Sequence, residues 1–203
     1  MTTSIDEALI KQTIAFHGHT CPGVIIGIRA VELAFQRLPS CKKDDLVAVV
    51  ETDMCGVDAI QYIAGCTLGK GNLIHKDYGK MAFTFYDRKK GMGFRAVLRP
   101  DLQNEGRDRM RGLMKKINDG TASEEDRREC QGRRKALEDR YRHADLEDMF
   151  MVTGADAPAP RAERVLESLC CDACREMTME SRTRRFDGKT LCIPCFMKVE
   201  QKS

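Results

Sequence analysis

The chain has 203 residues and is nearly balanced in charge, with 34 Lys and Arg against 31 Asp and Glu and a formal net charge of +3. This length is enough for one core with a small appendage, or for two modest domains. The balanced charge argues against an overall nucleic-acid or membrane-surface footprint.

The first residues and the number of cysteines bear on the cellular compartment of the protein. No apolar stretch approaches the about 20 residues that span a bilayer, and the start, MTTSIDEALIK, lacks a signal-peptide pattern. We therefore expect a cytoplasmic protein with no membrane contact. In such a chain ten cysteines indicate metal ligation and buried thiols rather than disulfides.

Two helices are predicted near the N-terminus. A capping-box pattern that begins at Ser4 predicts a short helix over residues 5–15. Pro22 suits the first position of a second helix and Pro39 stops it, so we expect that helix over residues 22–38.

Between these helices, residues 16–23 read Phe-His-Gly-His-Thr-Cys-Pro-Gly and place two imidazoles and a thiol at a helix N-terminus. The helix dipole favours an ionised thiol there. His17, His19 and Cys21 therefore form a candidate site for a borderline or soft metal such as zinc, nickel, copper or iron. The structural alternative is a tight turn in which the same side chains cap the helix or pack.

The following segment predicts a mixed core. Leu46–Val50 is a continuous apolar run typical of a buried strand, and residues 57–64 have a helical pattern. Residues 81–86 and 94–98 predict two more strands, joined by a hairpin turn at 87–91. The expected fold class is α+β, with too few strands for a doubly wound sheet.

The character of the chain changes after this core. Residues 100–151 are rich in charges of both signs and predict one short helix and one longer helix that begins near Ser123. Such helices pack on the core or on a partner subunit, or form a solvated arm. A Pro/Ala segment at 155–160 is expected to hold its neighbours apart in an extended conformation.

These patterns predict three parts. Residues 1–153 form the α+β core with its trailing charged helices, and residues 154–165 form the linker. Residues 166–203 form a small four-cysteine zinc-ribbon domain of treble-clef-like type.

The tail contains two Cys-x2-Cys pairs separated by seventeen residues. Each pair chelates from a tight turn and together they close a tetrahedral shell, so we expect a zinc ion on Cys171, Cys174, Cys192 and Cys195. The protein fills all four positions, which indicates a structural zinc. Cys170 is the spare thiol because three residues would separate it from Cys174, a less favourable spacing than the two residues between Cys171 and Cys174.

Three arginines lie between the two pairs: Arg182, Arg184 and Arg185. They are candidates for phosphate contact, but without interleaved aromatic residues such arginines are more often typical of a solvated hairpin.

Two further cysteines are candidates to complete the core site. Cys55 follows a predicted strand and Cys66 follows the next predicted helix, where α+β folds present functional groups. Either one fits equally well as a small buried hydrophobe. Cys41 and Cys130 are interpreted as bystanders because their sequence surroundings are polar. His75 and His143 are interpreted as bystanders as well.

The loop at residues 65–72 reads Gly-Cys-Thr-Leu-Gly-Lys-Gly-Asn and does not match a phosphate-binding P-loop. Its glycines are one residue too close, and Gly71 stands where Ser or Thr is needed. We interpret it as a flexible loop in which Lys70 and Asn72, with Lys80 further on, are candidates to hold an anionic ligand near the metal. Turn-forming and surface roles are the alternative.

Several of these motifs together resemble the FmdE family of formylmethanofuran dehydrogenase subunits. They are the segment at 16–23, Asp-Ala-Ile-Gln at 58–61, the loop at 65–73, and Asp-Tyr-Gly-Lys at 77–80. The resemblance covers residues 10–100, and the chain resembles a stand-alone member that carries a C-terminal zinc ribbon.

The resemblance implies an α+β core, intertwined homodimers and a metal near the His-x-Cys motif. It also implies an association with the molybdenum or tungsten enzyme that fixes carbon dioxide onto methanofuran.

Three functions are compatible with these observations. The first is a metal-binding accessory or sensor protein, with zinc in the tail and a second transition metal (Zn, Ni or Fe) in the core. The second is an enzyme that uses an open core metal site for hydrolytic or redox chemistry. The third is a transcriptional regulator, or an interaction module that binds protein or RNA through the zinc ribbon. The first is favoured.

Overall fold

The computed structural model describes residues 4–104, 106–156, 158–162 and 164–200. The chain divides into two compact units, Met1–Ala162 and Glu163–Ser203. In the described ranges no helix combines the length and the apolar character needed to cross a membrane.

The first unit is a mixed α/β fold, which confirms the predicted fold class. Its helices are α1 (Glu7–His17), α2 (Pro22–Arg37), α3 (Gly56–Ala59, followed by one π-helical turn, Ile60–Ala64), α4 (Pro100–Asn104), α5 (Arg107–Asn118), α6 (Glu124–His143) and α7 (Leu146–Met149). Its strands are β1 (Leu46–Val50), β2 (Leu73–His75), β3 (Ala82–Asp87), β4 (Met92–Leu98) and β5 (Phe150–Gly154).

The five strands form one sheet in the order β2-β1-β3-β4-β5. β1 and β2 pair in parallel and the other pairs are antiparallel. The register places Val50 opposite Phe83 and Leu98 opposite Phe150, so the apolar side chains of four strands share one face. That face packs on the helices as the main hydrophobic core.

α2 is the central helix of this core, and its side chains from Val24 to Ala34 are buried. It approaches α3 so closely that a Cβ on Gly27 would lie 2.2 Å from the Gly56 carbonyl oxygen. Glycine is therefore required where the two backbones meet. The contact brings the start of α3 beside the start of α2, where the candidate metal ligands lie.

α1 begins two residues later than its sequence pattern predicts. Its N-cap is Asp6, which accepts a hydrogen bond from the Ala8 amide. Ser4 is not the cap, because its backbone amide donates to buried Glu32 at 2.6 Å. The helix then continues to His17 and ends at Gly18 in the left-handed conformation.

The charged helices pack on the core of their own chain. α6 begins at the capping box of Ser123 and Asp126, as its sequence pattern predicts. Tyr141 near its end is buried and donates a hydrogen bond to the Leu102 carbonyl at 3.2 Å. A solvated arm is therefore the wrong interpretation of this segment.

The described part of the Pro/Ala segment docks on the second face of the sheet instead of standing away from it. Ala155 and Ala159 pack against a small cluster around Val47 and Tyr86. The Pro160 carbonyl also accepts a hydrogen bond from Arg88 at 3.2 Å. The segment covers apolar side chains that the sheet otherwise exposes to water.

The second unit consists of two short hairpins and a helix. Its elements are β6 (Ser168–Cys170), β7 (Met177–Met179), a 3₁₀ turn (Glu180–Arg182), β8 (Thr183–Phe186), β9 (Lys189–Cys192) and α8 (Ile193–Val199). β6 pairs with β7 and β8 pairs with β9, both antiparallel. Its small core contains Cys171, Leu191 and Cys192. This architecture fits the predicted zinc ribbon.

Candidate metal centre

The candidate metal centre begins at the end of α1 and the start of α2. One ligand atom from each of His17, His19 and Cys21 lies within 4.8 Å of the other two. The imidazole rings of His17 and His19 are 4.5 Å apart between centroids. The turn at Gly18 makes this possible because its left-handed backbone reverses the chain directly after the helix.

Asp58 orients the first of these candidate ligands. Its Oδ2 lies 2.7 Å from Nδ1 of His17, and the opposite ring nitrogen, Nε2, lies 3.7 Å from the Cys21 Sγ. Metal-binding histidines commonly use one nitrogen for a carboxylate and the other for the ion. Gln61 donates to the other Asp58 oxygen at 3.3 Å and fixes the carboxylate in turn.

Cys21 is the N-cap of α2. Its Sγ accepts a hydrogen bond from the Val24 amide at 3.4 Å, and the side chain is 9% exposed. A helix N-terminus stabilises negative charge, so this position suits a thiolate ligand.

Cys55 lies beside this group, at the N-terminus of α3. A Cβ placed on Gly23 would lie 3.6 Å from the Cys55 Sγ and 3.8 Å from the Cys21 Sγ, so the two thiols flank this glycine. Burial raises the pKa of the Cys55 thiol, and its contact with Cys21 raises the pKa further. Without a cation, two neighbouring thiols do not ionise together easily. The donor set therefore fits a borderline or soft metal ion.

Cys66 lies elsewhere in the fold. It is fully buried, and its thiol donates to the Leu46 carbonyl at 3.5 Å. Burial raises its pKa to about 12. The His/Cys cluster does not include Cys66, which behaves instead as a small buried hydrophobe.

Two of the candidate ligand-binding residues, Lys70 and Asn72, lie in the loop at residues 65–72. Asn72 is buried and its side chain holds the loop: Oδ1 accepts from the Thr67 amide at 2.9 Å and Nδ2 donates to Leu46 at 3.1 Å. These bonds fit the turn-forming alternative for Asn72. The Lys70 amine lies near Gly65 in the same loop.

Lys80 lines a cavity of about 630 Å³ that the starts of α2 and α3, with their thiols, also line. Other lining residues are Cys21, Gly23, Thr52, Cys55 and Arg107. Thiols and cationic side chains therefore face one space that is large enough for a small anionic ligand.

The four tail cysteines also form a group. The sulfur atoms of Cys171, Cys174, Cys192 and Cys195 all lie within 4.8 Å of one another. The backbone amides of Cys174 and Cys192 lower the pKa of the Cys171 thiol to about 6, whereas the neighbouring Cys192 thiol is the largest cause that raises the pKa of Cys195 to about 12. A cation at the centre offsets the repulsion that four ionised thiols otherwise feel.

The spare thiol, Cys170, is outside that group and faces the Arg175 carbonyl at 3.5 Å.

The sequence matches two families that correspond to these two units. Residues 16–151 match the family described as "FmdE, Molybdenum formylmethanofuran dehydrogenase operon". The chain belongs to the FmdE family. Residues 154–201 match the "Prokaryotic dksA/traR C4-type zinc finger", and the four-cysteine group fits this assignment.

Two similar proteins extend the comparison. An Archaeoglobus fulgidus protein described as "Probable S-adenosyl-L-methionine-binding protein" is 29% identical over 196 residues, which cover 92% of this chain and 52% of that protein. The chain thus spans about half the length of the curated relative it matches. A crystal structure described as that of a "tungsten formylmethanofuran dehydrogenase subunit e (fmde)-like protein" from Syntrophus aciditrophicus has a TM-score of 0.64 at 24% identity. The match covers 96% of this chain and 94% of that chain. That likeness shows the fold.

Asp58 contacts the candidate metal centre of this FmdE-family chain, and reasoning from ligand types in the sequence missed it. It belongs to the Asp-Ala-Ile-Gln motif at 58–61, which carried part of the family resemblance without a role of its own. The signal was therefore present in the sequence, but its partner, His17, is 41 positions away along the chain.

Proposed function

We propose that this FmdE-family protein is a metal-binding accessory or sensor protein whose core site holds one borderline or soft transition metal ion. His17, His19 and Cys21 are the proposed ligands. The observation that supports this most directly is the hydrogen bond between Asp58 and Nδ1 of His17, which leaves Nε2 of His17 directed at the Cys21 thiol. Packing alone does not require an oriented imidazole to direct its second nitrogen at a buried thiol.

The donor set favours a borderline or soft transition metal, and Zn, Ni and Fe are the ions we propose. Two imidazoles and a thiolate are too soft a set for magnesium or calcium. Cys55, beside Cys21, is the proposed fourth donor when the coordination shell closes.

The test is the metal content of the full chain. We expect two bound ions per chain, one in the core and one in the tail, and Cys21→Ser should retain only one. The matched control is Cys41→Ser, because Cys41 belongs to neither group of candidate ligands. If Cys21→Ser lowers stability but the metal count equals that of the unmodified protein, the side chains only pack and the core site does not exist.

A second candidate function is catalysis or ligand sensing at an open metal position, favoured by the cavity that Lys80 shares with Cys21 and Cys55. A metal on three protein ligands keeps a position for water or substrate, and it supplies Lewis acidity when bound. Lys80 would orient an anionic group of the ligand.

Cobalt-substituted protein tests this function. A visible spectrum that changes with small anions, and does so less in Lys80→Ala, would indicate an open position. S-adenosyl-L-methionine belongs in the same screen because of the description of the A. fulgidus protein. A spectrum insensitive to every added ligand would indicate a closed, non-catalytic site.

For the tail we propose a structural zinc on the four clustered cysteines, in a finger that contacts protein or nucleic acid. The exposed arginines at 182, 184 and 185 favour an anionic partner. Binding to RNA or DNA that weakens steeply with salt, and weakens further when these arginines become Ala, would support nucleic acid. Salt-independent or absent binding would favour a protein partner.

We also propose an intertwined homodimer, on the strength of the family resemblance. The mass of the protein in solution tests this directly. A monomer at micromolar concentration would contradict the proposal.

A further inference from the structure

Three sulfur atoms meet between α5 and α6, in a region separate from both cysteine groups. The Cys130 thiol lies 3.7 Å from the Met110 Sδ and 3.8 Å from the Met114 Sδ. Cys130 is only 3% exposed, which corrects its interpretation as an isolated cysteine in polar surroundings. The two methionines are four residues apart on α5, so they share one face of the helix.

The separations correspond to those of a three-sulfur metal site. Three ligands placed about 2.3 Å from a central ion in a plane are about 4.0 Å from each other. The two thiol–thioether separations fall within a few tenths of an ångström of that value. Two of the three edges of a trigonal sulfur shell are therefore already present in the packed cluster.

The ligand types specify a soft ion. One thiolate and two thioethers select copper(I) over zinc, iron or magnesium, because thioether sulfur binds hard and borderline ions weakly.

The surrounding charge selects a monovalent ion. The Arg134 guanidinium lies 3.7 Å from the Met114 Sδ, so cationic charge is already next to the cluster. A monovalent ion on one thiolate adds no net charge to this region, whereas a divalent ion adds one positive charge beside the guanidinium.

An access route is present as well. Met110 and Met114 line a groove of about 500 Å³ between the two helices, with Arg133, Leu137 and Arg140 on its other wall. The thioethers are partly exposed to this groove and the thiol lies behind them. An ion can therefore pass from solvent to the thioethers first and then to the thiolate.

We propose that Cys130, Met110 and Met114 form a binding site for copper(I). The Cys130 thiol releases its proton to solvent as the copper–sulfur bond forms. No oxidation state changes, because the ion arrives as copper(I).

The test follows the methionine methyl groups of the full chain in its zinc-loaded form. With ¹³C-methyl methionine, silver(I) serves as a diamagnetic probe for the same soft, monovalent chemistry. We expect the Met110 and Met114 signals, assigned through Met110→Leu and Met114→Leu, to shift together in one step. The control signal is that of Met151, which is 40% exposed, lies on β5 and should not move in that step.

Variants separate binding from packing. Cys130→Ser should abolish the joint shift, and Met110→Leu, a volume-conserving change, should weaken the response of Met114 at least tenfold even if Cys130→Ser fails to fold. Silver(I) and copper(I) also react with the thiols of the core and the tail. The total number of bound silver or copper ions is therefore not a sufficient readout by itself. If both methyl signals stay in place after those thiols are saturated, or if they move equally in Cys130→Ser, the cluster is only a packing contact.

With copper(I) itself, competition against a chromogenic chelator should show one fewer bound equivalent in the Met110→Leu/Met114→Leu protein than in the unmodified chain. An equal number would overturn the proposal.

Discussion

The carboxylate of Asp58 holds the imidazole of His17 by its Nδ1, with 2.7 Å between the two atoms, and directs the other ring nitrogen at Cys21. Replacing Asp58 by Asn should lower the core metal affinity by about 10- to 100-fold, because the ring loses its orienting charge and some of its basicity. Competition with a metal chelator measures the change. Asp53→Asn is the control, since Asp53 is exposed and nearby in sequence. Equal affinities in both variants would mean that Asp58 does not support a ligand.

Gly27→Ala should destabilise the first unit by about 3 kcal/mol or more, because the new Cβ would overlap the Gly56 backbone and force α2 and α3 apart. The core metal should be lost with it, since that contact sets Cys21 beside Cys55. Gly132→Ala provides the control: apart from the chain neighbours and the backbone of its own helix, no described atom lies within 4 Å of the new Cβ. Replacing this helical glycine should add up to about 1 kcal/mol to the free energy of unfolding. Thermal unfolding and metal content decide the result. A fully stable Gly27→Ala protein would contradict the close packing.

Cys66→Ala should lower the free energy of unfolding by about 1–2 kcal/mol and leave the metal content unchanged, because the buried thiol only packs and bonds to Leu46. Chemical denaturation and elemental analysis are the two measurements. A lost metal equivalent would restore Cys66 to the list of ligands.

The pair of Glu51 and Arg95 should make stability depend on pH. Arg95 donates two hydrogen bonds to Glu51, at 2.5 and 2.7 Å, and these hold the pKa of the carboxyl below its usual range. A depressed folded-state pKa stabilises the protein above the unfolded value of about 4.3, and this stabilisation is lost as the pH falls through the folded value.

Glu51→Gln should therefore cost about 2 kcal/mol at pH 7, and the difference from the unmodified protein should shrink below about pH 4. Urea unfolding at a series of pH values checks both statements. A difference that is constant from pH 7 to pH 3 would show that the ion pair contributes no linked protonation.

Cys174→Ser should release the tail zinc and unfold the second unit, because four-cysteine sites supply much of the folding energy of small domains. The first unit should keep its thermal transition, since it is a compact unit with its own core. Cys170→Ser is the matched control, because Cys170 lies next to the cluster without belonging to it. Retention of zinc in Cys174→Ser, with an unchanged tail, would refute the ligand assignment.

Much of the fold was accessible from local patterns. The strand Leu46–Val50 is predicted with its exact bounds, since a run of β-branched residues indicates a buried strand. The sequence patterns missed β2 and β5, for two different reasons. Leu73–His75 is too short to show a period, and Phe150–Gly154 directly follows a charged helical segment whose pattern hides it.

In the candidate sites, too, local sequence patterns determine some features and tertiary contacts determine the others. The sequence by itself determined the ends of α2, the start of α6 and the grouping of the tail cysteines, because caps, prolines and chelate spacings act within a few residues. Only the tertiary structure decided that Asp58 contacts His17, that the buried side chains of Cys66 and Asn72 bond to Leu46, and that Cys130 meets two methionines. Those outcomes depend on which helix faces pack together, and the close approach of α2 and α3 at Gly27 is set by contacts between residues far apart in the chain.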